Sequence, residues 1–100
     1  FVADTESRAL AHQVAGTFRA HATIASEGST PPRFIKGIDW SDHGPYWRAG
    51  YQALMVTDTA PFRNPHYHEA TDLPATMDFV RLARVTVGLE AVVRDLASPR

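Results

Sequence analysis

The sequence predicts an α/β fold with few strands, several helices and a long C-terminal helix. Apolar residues recur every four positions at Leu10, Val14 and Phe18, which predicts an amphipathic helix from about Glu6 to His21. The continuous apolar run at 53–57 is too short for a buried helix and favours a strand covered on both faces. A second series of apolar residues steps by three and four and predicts a long helix capped by Asp78: Leu82, Val85, Leu89, Val92 and Leu96.

Shorter elements are predicted between these three. Residues 1–3 form an apolar entry suited to a strand, and 34–38 suit a short extended piece. Ser41 can cap a short helix that runs to Ala49 and ends at Gly50. The segment 59–74 contains three prolines and is expected to be a long ordered loop, a kind of segment that often carries function.

Composition and charge exclude several classes of protein. The 100 residues are 44% hydrophobic and 21% charged, which is typical of a globular chain. A net charge of −1 gives no reason to expect a nucleic-acid partner, and no apolar run approaches the ~20 residues of a membrane span. The chain contains no cysteine, so thiolate metal sites and disulfides are excluded. Since residue 1 is not methionine, we expect the chain to come from a longer protein.

The candidate functional site lies at 64–72, where two histidines, two carboxylates and a tyrosine follow one another. His66 and His68 would lie on one side of an extended segment, and Asp72 could ligate a metal or orient an imidazole. Zinc takes three or four protein ligands, which this segment alone does not supply. The residues therefore indicate an incomplete metal or acid–base site. Asp42 and His43 form a second polar pair, for which local turn and capping chemistry is the simpler explanation.

Three ordered motifs resemble the C-terminal signature of a zinc exopeptidase superfamily. They are Ser-Asp-His-Gly-Pro-Tyr at 41–46, Gly-Tyr-Gln-Ala at 50–53 and Tyr-His-Glu-Ala-Thr-Asp at 67–72. The superfamily includes bacterial leucyl aminopeptidase-like enzymes, glutaminyl cyclases and the transferrin receptor ectodomain. The resemblance implies that residues 1–100 are the C-terminal part of a single zinc-peptidase domain, an α/β/α sandwich whose N-terminal part is absent from this sequence.

The resemblance also implies an activity and residue roles. The intact protein is expected to remove N-terminal residues from peptides through a metal-activated water, at a site with two zinc ions. His68 would be a zinc ligand, and Tyr67 would donate a hydrogen bond to the tetrahedral intermediate. The residues that would hold loops and ligands in place are Asp42, His43 and Asp72. The pocket for the first substrate side chain would be lined by Met55 and Phe62.

Only one family-matched ligand is present, so we expect the isolated chain to be inactive and to bind zinc weakly or not at all. The expected partners are a peptide substrate and the missing N-terminal part of the domain, which would cover hydrophobic surface on the strand and the last helix. Two alternatives remain open. One is a glutaminyl cyclase-like acyltransferase, although Ser41 and Tyr67 favour a peptidase, and the other is a non-catalytic, receptor-like binding domain.

Overall fold

Four helices and two short strands make up the fold, which we describe from a computed structural model of residues 1–98. In chain order the elements are β1 (Val2–Ala3), α1 (Arg8–His21), α2 (His43–Arg48), β2 (Leu54–Met55), α3 (Ala60–Arg63) and α4 (Phe79–Ala97). Short 3-10 turns occupy Thr5–Ser7 and Pro74–Thr76. The mixed content of helix and strand and the long C-terminal helix confirm the coarse fold prediction.

Helix α4 begins where its cap was predicted, because the Asp78 carboxylate accepts a hydrogen bond from the backbone N–H of Arg81 at 3.1 Å. The apolar face of α1 packs against α4 and forms the core. Val14, Phe18 and Val92 are buried there, each at 5% exposure or less. Asp95 also links the two helices, since its carboxylate accepts a hydrogen bond from the Thr17 hydroxyl at 2.9 Å.

Gly88 allows α1 and α4 to approach closely. A Cβ atom at this position would lie 2.7 Å from Cδ2 of Phe18 and 2.8 Å from Cβ of Ala22, closer than packed carbon atoms tolerate. The glycine is buried on the face of α4 that meets α1. Its missing side chain therefore sets the distance at which the Phe18 ring contacts the second helix.

The sheet consists of β1 and β2, which pair antiparallel with Val2 opposite Met55 and Ala3 opposite Leu54. On its other side β1 forms a parallel bridge to Ser29, so β1 has neighbours on both edges. The prediction that 53–57 is a strand covered on both faces is wrong for the chain described. Only two of its residues are in a strand, both are half-buried, and Val56 is 43% exposed. Leu54 packs against the core formed by α1 and α4, so the strand is covered on one side only at that residue.

The prediction of an extended piece at 34–38 is also wrong. This segment is a series of turns, in which the N–H of Ile35 donates to the carbonyl of Pro32. Gly37 has a φ of +94°, in the left-handed region that only glycine adopts without strain. The glycine therefore turns the chain where a strand would have continued.

Helix α4 also carries exposed apolar residues, although the middle of its predicted apolar stripe, Val85, Leu89 and Val92, packs in the core. Phe79, Val93 and Leu96 are between 45% and 63% exposed, while Val92 on the adjacent face is buried. Leu96 is the last residue of the predicted stripe, whereas Phe79 and Val93 lie outside it. Among the helices of residues 1–98, none combines the length and the apolar character needed to cross a bilayer.

Candidate functional site

A single cleft of about 220 Å³ brings together three of the residues singled out in the sequence. Met55 comes from β2, Phe62 from α3, and Tyr67 from the turn that follows. The cleft is also lined by residues of the 36–41 loop, which come from a different part of the chain. The residues that the resemblance assigns to substrate and to transition state thus share one surface.

Consecutive hydrogen-bonded turns form the segment at 64–72. The Asn64 side-chain oxygen accepts from the N–H of His66 at 2.9 Å, and the Asn64 carbonyl accepts from the N–H of Tyr67 at 3.1 Å. Nδ1 of His66 lies 2.8 Å from the hydroxyl oxygen of Thr71. These bonds hold the segment in a fixed shape, and they give His66 a local structural partner.

His68 lies at the tip of this segment in an uncommon backbone conformation. Its φ is +57°, in the left-handed region, which costs an ordinary residue roughly 1–2 kcal/mol. The side chain is exposed, and its ring stacks on that of Tyr67 with centroids 4.0 Å apart and planes 14° apart. The His68 imidazole, which is the candidate zinc ligand, therefore lies directly beside the Tyr67 ring, and Tyr67 lines the cleft.

The three residues predicted to support the site occupy two kinds of environment. His43 is 6% exposed, its Nε2 hydrogen-bonds the carbonyl of Ile38, and its ring meets Trp47 edge to face at 4.7 Å. It therefore joins α2 to the preceding loop. Asp42 and Asp72 are exposed, and within residues 1–98 neither carboxylate hydrogen-bonds an imidazole. Their predicted supporting roles stay predictions.

A buried network holds the start of β2, and hence Met55, in place. The hydroxyl of Ser7 accepts a hydrogen bond from the N–H of Ala53 at 3.1 Å, and the Trp47 indole donates to the carbonyl of Ala53 at 2.8 Å. Asp4, at 1% exposure, accepts from the Ser7 N–H at 2.9 Å and from Nε of Arg33 at 2.7 Å. The sequence alone does not indicate this network, since its partners lie far apart in the chain.

Burial and hydrogen bonding act in opposite directions on Asp4. Burial alone would raise the pKa of its carboxyl group, because it disfavours the charged form. The hydrogen bonds from Ser7 and Arg33, together with the Arg33 charge, outweigh burial and lower the pKa below its ordinary value of 3.8. The carboxylate therefore stays ionised at neutral pH and holds Arg33 against the fold.

Nowhere in 1–98 do three or more histidine, aspartate or glutamate side chains converge as metal ligands. A tetrahedral zinc ion takes three or four protein ligands, so a zinc ion bound by His68 would need further ligands around it.

Comparison with known proteins gives one informative match. The chain is similar to the uncharacterized protein YfbL of Escherichia coli (strain K12), with 35% identity over 77 residues. The match covers 77% of this chain and 24% of YfbL, so the chain spans about a quarter of the length of this relative. No protein-family model and no solved structure matches the chain.

Proposed function

We propose that these residues belong to a larger α/β/α zinc aminopeptidase domain and supply one wall of its active site. The observation that carries the proposal is the single cleft shared by Met55, Phe62 and Tyr67, with His68 stacked at its side. In this proposal the cleft holds the first side chain of a peptide substrate. The Tyr67 hydroxyl donates a hydrogen bond to the oxygen that gains negative charge during attack on the peptide carbonyl.

Zinc, when bound, would polarise the carbonyl and lower the pKa of a water molecule. His68 would supply one of its ligands through an exposed imidazole. The left-handed backbone at His68 supports this assignment, because strained conformations persist chiefly where function or surrounding structure requires them. The remaining ligands and the general base would come from other parts of the protein.

Two uncovered surfaces support the proposal of a larger domain. Within 1–98, β2 pairs only with β1, which leaves its second edge available for another strand. The exposed apolar face of α4 that includes Phe79, Val93 and Leu96 would pack against the same additional chain. A two-stranded sheet of two residues per strand is marginal without such neighbours. The greater length of YfbL is compatible with a larger domain.

The experiment uses the intact protein, including whatever sequence flanks these 100 residues. Metal is removed with a chelator, zinc is restored, and release of nitroaniline from aminoacyl nitroanilides is measured. We expect zinc-dependent release that His68→Ala abolishes and that His12→Ala, at an exposed position of α1, preserves. Tyr67→Phe should lower kcat about 10²–10³-fold, as loss of one oxyanion donor does. Equal activity in His68→Ala and in the unsubstituted protein would refute the proposal.

A further inference from the structure

The segment 59–68, which carries Phe62 and Tyr67 to the cleft, begins and ends with a residue in a strained backbone conformation. Within residues 1–98, Thr59 and His68 are the two non-glycine residues with a positive φ, at +65° and +57°. A β-branched residue is rarely found in this left-handed region, because its Cβ crowds the following carbonyl oxygen. The penalty biases a conformational equilibrium about 5- to 30-fold against this geometry. The structure around Thr59 must therefore hold it there.

Two hydroxyl groups supply the constraint on Thr59. The Thr57 hydroxyl oxygen accepts a hydrogen bond from the backbone N–H of Thr59 at 2.8 Å, which fixes the orientation of the peptide group between Asp58 and Thr59. The hydroxyl of Thr59 donates to the carbonyl of Asp58. This second bond spans the N–Cα bond of Thr59, so it can form only over a limited range of φ. The side chain of Thr59 thus helps to hold its own backbone in the left-handed region.

The backbone of Thr59 is also where the turns that carry the two cleft residues begin. Its carbonyl accepts hydrogen bonds from the N–H of Phe62 at 2.9 Å and the N–H of Arg63 at 3.2 Å. The Asn64 carbonyl, one residue further on, accepts from the N–H of Tyr67. Because these bonds follow one another without a gap, a rotation of the Thr59 backbone would displace Phe62 and Tyr67 together.

We propose that Thr59 is a positioning residue: its left-handed backbone, held by its own hydroxyl and by Thr57, keeps Phe62 and Tyr67 at the cleft. The Phe62 ring stacks on Trp40 of the 36–41 loop with centroids 5.9 Å apart, so the same backbone geometry sets the spacing of two cleft walls. The consequence for catalysis rests on the proposed function, in which the Tyr67 hydroxyl contacts the transition state. Misplacement of a catalytic group by roughly 1 Å can lower a rate ~100-fold.

The first test measures hydrogen exchange at the backbone amides of Phe62, Arg63 and Tyr67 in the intact protein without metal. Thr59→Val keeps the branched side chain and the strain but removes the hydroxyl, so these amides should exchange about fivefold faster. Thr59→Ser keeps the hydroxyl and should stay within about twofold of the unsubstituted protein. Thr59→Gly removes the strain together with the hydroxyl, so exchange should be about two- to fivefold slower than in Thr59→Val.

Thr76→Val provides the matched control, since it removes a hydroxyl that donates to the Leu73 carbonyl in a turn that does not line the cleft. It should leave exchange within 59–68 unchanged. Equal acceleration in Thr59→Val and Thr59→Ser, faster exchange in Thr59→Gly than in Thr59→Val, or no acceleration in any of them would overturn the proposal.

The second test measures hydrolysis of aminoacyl nitroanilides by the same variants. Thr59→Val should lower kcat about fivefold, in proportion to the loss of the held geometry, and Thr59→Ser should preserve it. In a Tyr67→Phe background Thr59→Val should have little further effect on kcat, because the hydroxyl that it positions is already absent. An equal loss of kcat with and without the Tyr67 hydroxyl would overturn the positioning role. The expected exchange pattern in a protein that hydrolyses no nitroanilide would support the held segment and refute the aminopeptidase proposal.

Discussion

Two substitutions at His68 separate the effect of its strained backbone on stability from the chemical role of its imidazole. His68→Ala and His68→Gly both remove the imidazole, but they differ in how well each residue tolerates the φ of +57°. Alanine keeps the steric cost of the left-handed region, roughly 1–2 kcal/mol, whereas glycine does not. Glycine in turn loses more chain entropy on folding, about 0.5–1 kcal/mol. We therefore expect the glycine variant to be the more stable by about 0.5–1 kcal/mol.

His12 supplies the control, because it is exposed in the middle of α1 with ordinary helical geometry. There the order should reverse, with His12→Ala more stable than His12→Gly by about 1 kcal/mol. The four variants of the intact protein are unfolded in urea with a chelator present, so that metal binding does not contribute to stability. Both His68 variants should lack zinc-dependent hydrolysis. A His68→Ala variant that is more stable than His68→Gly would show that the left-handed backbone is not adopted in solution.

Two further predictions concern stability. Gly88→Ala should destabilise the protein by about 1–3 kcal/mol, because the new methyl group overlaps Phe18, and urea unfolding will measure it. Gly16→Ala, which meets nothing within 4 Å on α1, should instead stabilise by up to about 1 kcal/mol, and destabilisation of both would contradict this reasoning. For Asp4 the pKa is lowered in the folded state. Its contribution to stability is therefore complete above the ordinary value of 3.8 that the unfolded chain has, and it is lost as pH falls through the lower folded value. Asp4→Asn should therefore cost about 2–3 kcal/mol at pH 7 and less near pH 3, as urea midpoints at the two pH values will show; an equal cost at both would refute the ionised pairing.

The helices were predictable because their signals are local. Three- and four-residue spacing over several turns places Phe18 and Leu89 on the α1–α4 side of their helices, and Asp78 caps α4 with its own side chain. The strand at 53–57 was predicted too long and too buried, because a continuous apolar run does not show which of its residues pair with a neighbouring strand or pack on the core. The turn at 34–38 depends on the positive φ of Gly37, which a short apolar sequence does not reveal.

The residues of the cleft were singled out only in part, and their proposed roles stay predictions. Tyr67 and His68 are adjacent in sequence, so their pairing could be proposed from one motif, and their rings stack in the structure. Trp40 was missed because it meets Phe62 only through the folding of two distant segments, and Lys36 because it approaches the Trp40 ring only through the turns at 34–38. The only local signal was a tryptophan three residues after a glycine, and that spacing indicates no particular chemistry.

The central claim is that His68 ligates zinc in the intact protein, and calorimetric titration of zinc tests it most directly. The metal-free protein is titrated alongside His68→Gly, which relieves the local backbone strain, and His12→Ala, which removes an exposed imidazole from α1. We expect tight zinc binding that weakens at least 100-fold in His68→Gly and changes little in His12→Ala. Zinc affinity and stoichiometry that are unchanged in His68→Gly would contradict it.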